Sequence, residues 1–283
     1  MRVALTGANG FTGQFVTAAL EQAGATSVPL SVDLTDPAAV DRAISAADFD
    51  RVIHLAGKAF VDASDWKAFY AVNQLGTFHL LDAVARHRPG ARCVLASSAQ
   101  VYGPGAQGLI AEDAPTNPAN HYAVSKLAME WGARRWDNQL ELCATRLFNY
   151  TGVGQGTEYL IPKIVSHFKR RAEVIELGNL WVKRDFGDVR AVAEAYVGLI
   201  TADTPPPATL NVATGTLWSI DDMLDVLAEL SGYRPEVKVN PAFVRENDVE
   251  VLGGDATRLH ATLPDWRPRD LTDTLGWMLQ APA

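Results

Sequence analysis

A tyrosine and a lysine four residues apart carry the clearest chemical signal in this sequence. Tyr122 and Lys126 stand in the segment Tyr-Ala-Val-Ser-Lys, and positions four apart on a helix lie on the same face. A nearby ammonium group favours the phenolate and so lowers the pKa of a tyrosine. The pair can therefore exchange a proton with a substrate C–O group near neutral pH. Ser98, in the segment Ala-Ser-Ser-Ala-Gln-Val-Tyr-Gly, offers a hydroxyl group to the same oxygen. The alternative is an ordinary helix with an exposed tyrosine and lysine.

A glycine-rich turn near the start of the chain predicts where a nucleotide binds. A short apolar strand leads into Thr-Gly-Ala-Asn-Gly-Phe-Thr-Gly (6–13), and a helix is predicted from about residue 14 to 22. Strand, glycine turn and helix in this order form a dinucleotide cradle. Gly7 permits the tight turn, Gly10 lets the backbone approach a pyrophosphate, and Gly13 lets helix and strand pack closely. The helix N-terminus offers N–H groups to the phosphates. The alternative is a structural turn.

Strands and helices alternate through residue 148, which predicts an α/β fold: a Rossmann-type, doubly wound parallel sheet of about seven strands. Residues 1–148 with about 187–212 are expected to form the dinucleotide-binding domain. Residues 149–186 with 213–283 are expected to form a smaller α+β substrate-binding lobe. The predicted strands are 2–6, 26–30, 51–57, 92–98, 142–148 and 209–213, and the predicted helices are 14–22, 66–86, 121–136, 161–171, 189–200 and 219–230.

Two residues in this framework have more than one interpretation. Asp33 lies about 20 residues past the last glycine, the position of an acid that binds the ribose 2′-hydroxyl of NAD. We prefer to place Asp33 and Leu34 at the end of a third strand, with Thr35 or Asp36 capping the next helix. The tip of the second strand then carries neither an acid nor an arginine. Asn73 lies inside a predicted long helix, where asparagine is unfavourable, so it either has a task or faces solvent.

Composition narrows the class of protein. The chain has 283 residues, 48% of them hydrophobic, enough for a large buried core. Its net charge of −8 argues against a nucleic-acid partner or an anionic membrane surface. Cys93 and Cys143 sit in apolar runs and are interpreted as buried thiols in a reducing compartment. The histidines show no metal-ligand spacing, Met1 leads directly into a strand, and the apolar runs are too short to span a bilayer. These features predict a soluble cytoplasmic protein without a metal site.

The glycine turn, Ser98 and the Tyr122/Lys126 pair together resemble the extended short-chain dehydrogenase/reductase family over essentially the whole chain. The segments 73–77, 98–103 and 146–149 are similar to those of the nucleotide-sugar enzymes of that family. The segments 177–186, 245–255 and 265–268 resemble the GDP-mannose 4,6-dehydratases and the GDP-4-keto-6-deoxy-D-mannose reductases, and the latter are the nearest likeness.

The resemblance implies a role for each matching residue. Tyr122 would be the catalytic acid/base, Lys126 would bind the nicotinamide ribose and lower the pKa of the tyrosine, and Ser98 would bond the substrate oxygen. The candidate substrate-binding residues are Ser98, Gln100, Asn149, Arg184, Arg245 and Asp248. The candidate cofactor-binding residues are Gly7, Asn9, Gly10, Phe11, Thr12, Gly13, Asp33, Leu34, Leu55, Ala56, Gly57, Asn73, Tyr122, Lys126 and Leu147.

Among the predicted substrate residues, Arg184 and Arg245 suit a diphosphate because the planar guanidinium matches phosphate oxygens in pairs. The alternative for Arg184 is a surface ion pair with Asp185. Asn149 would approach the diphosphate, and Asp248 would bind the nucleoside ribose.

Three departures from the family pattern bear on the reaction. Dehydratases of this family carry a carboxylate two residues after the catalytic serine or threonine, but Gln100 stands there and has no carboxylate to act as a base. Asp248 replaces the usual glutamate, and Glu246 replaces a proline. The segment between the second and third strands is short, as in the reductases.

The sequence therefore predicts an NAD(P)H-dependent reductase of a nucleotide-linked, GDP-bound 4-keto-6-deoxyhexose, with hydride delivered to C4. NADPH is slightly favoured over NADH. A nucleotide-sugar 4-epimerase or 4,6-dehydratase and a non-catalytic NADP-binding protein are the alternatives. The long helices 66–86 and 121–136 predict, by family likeness, a homodimer joined through a four-helix bundle.

Overall fold

The computed structural model describes residues 1–59, 65–243 and 249–282. The strands are β1 (Arg2–Thr6), β2 (Thr26–Leu30), β3 (Arg51–His54), β4 (Arg92–Ser98), β5 (Gly108–Ile110), β6 (Glu141–Leu147), β7 (Asn149–Thr151), β8 (Val174–Leu177), β9 (Lys183–Asp188), β10 (Thr209–Val212), β11 (Leu217–Ser219), β12 (Glu236–Val239) and β13 (Val251–Gly254). The α-helices are α1 (Phe11–Gln22), α2 (Pro37–Ala46), α3 (Trp66–Ala68), α4 (Thr77–His87), α5 (His121–Ala133), α6 (Leu160–Lys169), α7 (Val189–Thr201), α8 (Ile220–Ser231), α9 (Thr257–Thr262) and α10 (Leu271–Gln280).

The larger sheet has six strands in the order β10-β6-β4-β3-β1-β2, and every neighbouring pair is parallel. The chain passes from β1 to β2 on one side and then crosses to β3 on the other. A crevice therefore opens at the carboxyl ends of β1 and β3, where open α/β sheets bind ligands.

The described residues give this sheet six strands, against the expected number of about seven, and the predicted third strand ending at Asp33–Leu34 is wrong. Residues 31–36 form a loop between β2 and α2. Asp36 caps α2 by accepting hydrogen bonds from Ala38 N and Ala39 N, as one of the two predicted caps required. The short connection goes directly into the helix, so the extra strand does not form.

Helices cover both faces of this sheet. On one face the core joins α1 and α7 to the strands through residues such as Val16, Leu20 and Tyr196. On the other face α2, α4 and α5 pack through residues such as Ile44 and Met129. The strands between them are buried on both sides, which is why they read as continuous apolar runs. The predicted doubly wound α/β fold is confirmed.

A second lobe is built around a five-stranded sheet in which β11, β9, β13 and β5 lie in that order and β7 also pairs with β9. A two-stranded sheet of β8 and β12 lies beside it. The apolar faces of α6, α8 and α10 form a separate core there, with Phe168, Leu224 and Leu275 fully buried or nearly so. Capping is strong at α8: Ser219 and Asp222 form a reciprocal capping box.

The two parts of the chain exchange elements. β5, from the first 148 residues, pairs with β13 of the second lobe. Conversely, Leu259 and Trp266 near the end of the chain pack into the core around the larger sheet. The proposed division of the chain into 1–148 with 187–212 and 149–186 with 213–283 stays a prediction.

The predicted long helix at 66–86 is divided. Between α3 and α4, residues Phe69–Gly76 form a π-helix, a conformation often found at functional sites. Asn73 lies in its middle and is 1% exposed, so the solvent-facing alternative for this asparagine is wrong.

Three properties of the described residues complete the fold. Cys93 and Cys143 are free and buried, and burial raises the pKa of both thiols. Within 1–59, 65–243 and 249–282, no helix combines the length and apolar character that a bilayer span needs. In the same ranges, no three His, Cys, Asp or Glu side chains are grouped closely enough to hold a metal ion.

Candidate active site

The glycine turn after β1 is pressed against the backbone that follows β3. Gly7 has φ of +73°, and a Cβ at this position would lie 2.8 Å from Ala56 N. A Cβ at Gly13 would lie 2.1 Å from Gly7 O. No side chain fits in either place, because the contacting atoms are backbone atoms that cannot move aside. The arrangement leaves the turn and the segment 55–57 as one continuous backbone surface, which suits a flat, extended dinucleotide.

The N-terminus of α1 faces this surface. Helix α1 begins after Gly10, and no side chain caps that end. The first N–H groups of a helix have no partner within the helix and carry partial positive charge, so they can bind phosphate. Thr12 Oγ1 and Tyr150 OH lie 2.8 Å apart, and the rings of Phe11 and Tyr150 stack at 6.2 Å between centroids. Asn9 lies exposed in the turn.

A buried chain of hydrogen bonds ties the glycine turn to the tip of β3. Thr77 Oγ1 donates its only hydrogen to Asn73 O, so at 2.9 Å it must accept from His54 Nε2. His54 Nδ1 is then the acceptor, and Thr6 Oγ1 donates to it at 2.6 Å. Thr6 Oγ1 in turn accepts from Ala56 N. The chain therefore has one direction, from Ala56 to Asn73.

His54 is a neutral link in that chain. It is 3% exposed, and burial, together with the nearby charge of Lys126, lowers its pKa to about 3. The imidazole thus stays neutral at physiological pH and keeps one donor and one acceptor, as both hydroxyl partners require.

The π-helix presents Asn73 to the cofactor side. Its Oδ1 accepts from Lys58 N at 2.7 Å, and its Nδ2 donates to Lys58 O and to Ser125 Oγ. A Cβ at Gly57 would lie 2.9 Å from Asn73 Oδ1 and 3.3 Å from Lys126 Nζ. The predicted residues Gly57, Asn73 and Lys126 are therefore brought together.

Tyr122 stands at the start of α5, where Asn120 caps the helix by accepting from Ala123 N. The Ser98 hydroxyl lies close enough to the phenol to act on its pKa, and the ring packs edge-on against Phe69 with 5.8 Å between the ring centroids. Burial raises the pKa of Tyr122 to about 12, although the Ser98 hydrogen bond acts in the opposite direction. The structure thus joins the predicted tyrosine and serine.

The expectation that Lys126 lowers the pKa of Tyr122 stays a prediction, because burial is the largest influence on the phenol in this structure. Lys126 Nζ donates to Ala96 O at 2.7 Å, and the net shift of the phenol is upward because desolvation outweighs the other effects. Burial also lowers the pKa of Lys126 to about 8, while Glu130 acts to raise it. The phenol is therefore a proton donor that stays protonated at neutral pH.

The remaining predicted cofactor residues surround the crevice. Asp33 is exposed, and its Oδ1 accepts from Thr35 N and Oγ1, which lowers its pKa. Leu34 is buried in the core between the sheet and α4. Leu55 and Ala56 follow β3, and Leu147 ends β6 beside Ser98.

The predicted substrate residues are only partly placed. Gln100 Oε1 accepts from Asn120 Nδ2 at 3.1 Å, and Asn149 Nδ2 donates to Asp185 O. Arg184 is partly exposed on β9, and its Nη1 donates to Lys183 O. Arg245 and Asp248 lie outside the described residues.

The alternative in which Arg184 and Asp185 form a surface ion pair is wrong, because Asp185 does not lie at the surface. This carboxylate is fully buried, and it accepts from Thr214 N, Thr214 Oγ1 and Gly215 N. It closes the turn before β11, so its role is structural.

Three side chains of the site were not singled out from the sequence. Tyr150 follows Asn149 directly, His54 directly precedes the predicted cofactor residues 55–57, and Glu130 stands four residues after Lys126. Of the three, only Glu130 could have been found from the sequence, because its spacing places it on the same helix face as Lys126. The roles of Tyr150 and His54 depend on contacts across the sheet.

Comparisons with known proteins agree with this geometry. The sequence model of the family described as GDP-mannose 4,6 dehydratase matches residues 17–275. GDP-6-deoxy-D-talose 4-dehydrogenase of Aggregatibacter actinomycetemcomitans is 33% identical over 92% of this chain and 90% of its own length. GDP-6-deoxy-D-mannose reductase of Pseudomonas aeruginosa is 31% identical over 94% of this chain and 92% of its own length. The solved structure of RMD from Pseudomonas aeruginosa complexed with NADPH superposes with a TM-score of 0.88 at 29% identity, covering 98% of this chain and 97% of that one.

A parallel sheet with a glycine cradle and a Tyr/Lys/Ser constellation defines an NAD(P)-dependent oxidoreductase of the short-chain dehydrogenase/reductase class. Within that class, this chain belongs to the GDP-mannose 4,6-dehydratase-like family of extended members, which modify nucleotide sugars. The predicted family is confirmed.

Proposed function

We propose that this chain is a reductase that delivers hydride to C4 of a GDP-linked 4-keto-6-deoxyhexose. The observation that carries the proposal is the buried phenol of Tyr122 with Ser98 beside it. The phenol keeps its proton at neutral pH because burial raises its pKa to about 12. A reduction needs a proton donor beside the carbonyl oxygen, and a buried protonated phenol meets that need.

Gln100 supports a reductase over a dehydratase. Dehydration needs a base that removes a proton from carbon, and a carboxamide cannot take that role. Gln100 Oε1 is also engaged by Asn120 Nδ2, next to the start of α5. At this position the chain offers hydrogen-bonding capacity but no base.

The residues of the glycine turn fit a nicotinamide dinucleotide. The cradle that a Cβ at Gly7 or Gly13 would fill leaves room for a pyrophosphate against bare backbone. The N-terminus of α1 would bind its phosphates, and Asn73 and Lys126 would hold the nicotinamide ribose. The cofactor, when bound, supplies the hydride. In the reaction Tyr122 would donate its proton to the substrate oxygen, Ser98 would orient that oxygen, and the ammonium group of Lys126 would stabilise the phenolate that remains.

NADPH is slightly favoured over NADH. Asp33, the acid that would repel a 2′-phosphate, has its carboxylate held by Thr35 N and Oγ1. The tip of β2 at Leu30 carries no acid of its own.

The GDP moiety is inferred from the two most informative relatives, both of which are named for GDP-linked 6-deoxy sugars. Arg184 and Asn149, which lie on neighbouring strands, would bind the diphosphate, and Arg245 and Asp248 would complete nucleotide recognition. The relatives' names indicate two C4 configurations, 6-deoxy-mannose and 6-deoxy-talose, so the product of this chain is one of these epimers.

A nucleotide-sugar 4-epimerase is the second candidate, since it uses the same tyrosine, lysine and serine with a retained cofactor. Purified protein carrying one tightly held NAD per chain would favour it. Free exchange of the cofactor favours the reductase.

The decisive assay uses the 4-keto-6-deoxy sugar of GDP together with NADPH and, separately, NADH. We expect consumption of the reduced cofactor and a single 6-deoxy product, whose C4 configuration NMR identifies. GDP-mannose with NADP⁺ should give no 4-keto product. Dehydration of GDP-mannose by the purified chain alone would contradict the proposal.

A homodimer in the cytoplasm completes the proposal. Three large apolar side chains are exposed on the helices expected at the interface: Trp66, Leu75 and Trp131, at 45%, 49% and 59%. Covering them by a second copy would remove apolar surface from water. Light scattering that gives a monomer at micromolar concentration would contradict the dimer.

A further inference from the structure

Three side chains spaced four apart on α5 contact three successive residues of β4. Tyr122 has the Ser98 hydroxyl near its phenol, where it acts to lower the pKa of the tyrosine. Lys126 Nζ donates to Ala96 O at 2.7 Å. The third side chain is Glu130, whose Oε1 accepts from the hydroxyl of Ser97. The end of β4 that carries the candidate catalytic serine is thus held against α5 at each of the residues 96, 97 and 98.

Glu130 is the buried anion of this set. It is 9% exposed, and Ser97 is 2% exposed. Arg146, on the neighbouring strand and in register with Ser97, donates from Nη2 to Glu130 Oε2 at 2.8 Å and from Nε to both carboxylate oxygens. The carboxylate therefore accepts hydrogen bonds from both β4 and β6, and those from the Arg146 guanidinium are charge-assisted.

The position of this anion matters for Lys126. Lys126 is 6% exposed, and such burial disfavours an ammonium group. Glu130 lies one helical turn further along, and its negative charge favours the ammonium form. Among the described residues, the elements packed around the pair also bring Tyr122 on α5 itself, His54 on β3, Arg146 on β6 and, through it, Tyr102 after β4, whose ring centroid lies 4.8 Å from the guanidinium. Glu112 O also accepts from Arg146 Nη1, and its carboxylate is bonded to Asn211 N and lies 3.5 Å from Arg258 Nε.

Of these groups, only the carboxylates carry the negative charge that favours the ammonium form of Lys126 against the effect of burial. His54 is neutral at physiological pH, Tyr122 keeps its proton, and Arg146 adds positive charge. Glu112 is directed towards Asn211 and Arg258. The charge that keeps the ammonium form is therefore supplied by Glu130.

We propose that Glu130 is a positioning residue for the catalytic pair: its buried carboxylate fixes Ser97, and with it Ser98, against α5 and keeps Lys126 as an ammonium ion. The inference rests on the proposed roles of Tyr122 and Lys126 and adds the group that sustains both. Glu130 acts through Ser97, Arg146 and Lys126.

The test measures the titration of Lys126 directly. The chain has seven lysines, so protein labelled with ¹³C-lysine gives few Cε signals, and Lys126→Met identifies the one that matters. In the wild type the midpoint is expected at about 8. In Glu130→Gln it should move down by about one pH unit, because the favourable charge is lost and Arg146 is left unpaired. Glu130→Asp keeps the charge and should restore most of the midpoint.

Asp188→Asn is the matched control. Asp188 is buried and bonded to Arg190, so this change also breaks a buried ion pair, but in the second lobe. It should lower the melting temperature while the Lys126 midpoint stays where it is. A merely structural role for Glu130 would make the two variants behave alike.

A double variant keeps the test decisive if Glu130→Gln does not fold. Losing one partner of a buried pair is far more damaging than replacing both by neutral side chains, so Glu130→Gln with Arg146→Met should fold. Its Lys126 midpoint should still fall, because Glu130, which lies one turn away on the same helix, is the charge that favours the ammonium form. An unchanged midpoint in whichever folded variant is measured would overturn the proposal, as would an equal fall in Asp188→Asn.

The measurement needs neither substrate nor hydride transfer. If the chain fails to reduce any GDP-linked keto sugar, the proposed function fails while the Lys126 titration still decides the role of Glu130. With NADPH as probe, a fluorescence titration at pH 7 and pH 9 adds a functional reading. Binding to Glu130→Gln should weaken more steeply with rising pH than binding to the wild type, and parallel pH curves would count against the proposal.

Discussion

In the glycine turn after β1, backbone lies against backbone, whereas in the second lobe the candidate substrate residues reach their partners through side chains. Gly13 and Gly7 leave no space for a Cβ. Arg184 and Asn149, by contrast, sit partly or largely exposed on short strands, where a different side chain would fit. The cofactor half therefore tolerates almost no change, while the substrate half can change specificity without disturbing the fold.

Helix α5, which carries the candidate catalytic residues, should be intermediate between these two regions in its tolerance of substitution. Its side chains reach β4 through hydrogen bonds that are buried and specific, as at Lys126 and Glu130. Such bonds allow substitution without a backbone clash, but each loss leaves a buried polar group without a partner. The effects of mutation should therefore decrease from the glycine turn, through α5 and its supports, to the exposed positions.

Gly13→Ala should have the largest effect. The new Cβ would lie 2.1 Å from Gly7 O, so α1 must move away from β1, at a cost of about 3 kcal/mol or more. Chemical denaturation and NADPH fluorescence should show loss of stability and of cofactor binding together. Gly105→Ala is the control, since its Cβ would have 4.0 Å to the nearest atom, and it should change neither. A stable Gly13→Ala protein that binds NADPH would show that the cradle is less rigid than its contacts indicate.

Tyr122→Phe should lower turnover by ~10²–10⁴, the range for loss of a general acid. The ring remains packed against Phe69, so NADPH affinity and melting temperature should change little. Tyr233→Phe, which loses a hydroxyl bonded to Ala172 O far from the site, is the matched control and should keep full turnover. Full activity in Tyr122→Phe would remove this residue from the mechanism.

His54→Leu should change how stability depends on pH. The folded protein holds the imidazole neutral, with a pKa of about 3 against an ordinary value of 6.5. Below pH 6.5 the histidine takes up a proton in the unfolded chain but stays neutral in the folded one. The free energy of unfolding therefore decreases as the pH is lowered. Between pH 7 and pH 5 this histidine should account for about 2 kcal/mol of that fall.

Denaturation curves of the wild type and His54→Leu at the two pH values measure this difference. The variant should be less stable at pH 7, because Thr6 and Thr77 lose a partner, but its stability should fall less on acidification. Equal slopes in the two proteins would mean that His54 is not held neutral.

Asp33→Asn should have the smallest effect. The side chain is exposed and bonded to Thr35, and asparagine can accept the same bonds. The ratio of kcat/KM for NADPH and NADH should change by less than about tenfold. A wild-type preference for NADH of a hundredfold or more would restore Asp33 as the ribose acid and contradict the proposed tolerance of NADPH.

Local patterns predicted much of the framework. β1, β2 and β4 begin and end where the apolar runs do, and α8 begins after Ser219 as its cap requires. The glycine turn and the Tyr122 helix were also readable, because each depends on neighbours in sequence. Asp33 and Leu34 were misplaced in a strand, since a two-residue apolar and acidic pattern does not distinguish a strand end from a loop that packs Leu34 into the core.

The sequence by itself determined the α/β fold, the cradle and the catalytic pair, because glycine spacing and helical periodicity are local properties of the chain. Only the tertiary structure decided that Asn73 lies buried in a π-helix, that His54 orders a chain of hydroxyl groups, and that Glu130 pairs with Arg146. These depend on the register of strands that lie far apart in sequence, such as Ser97 beside Arg146. The direction of the Tyr122 pKa also belongs to the tertiary structure, since burial outweighs the charge that the local spacing of Lys126 predicts.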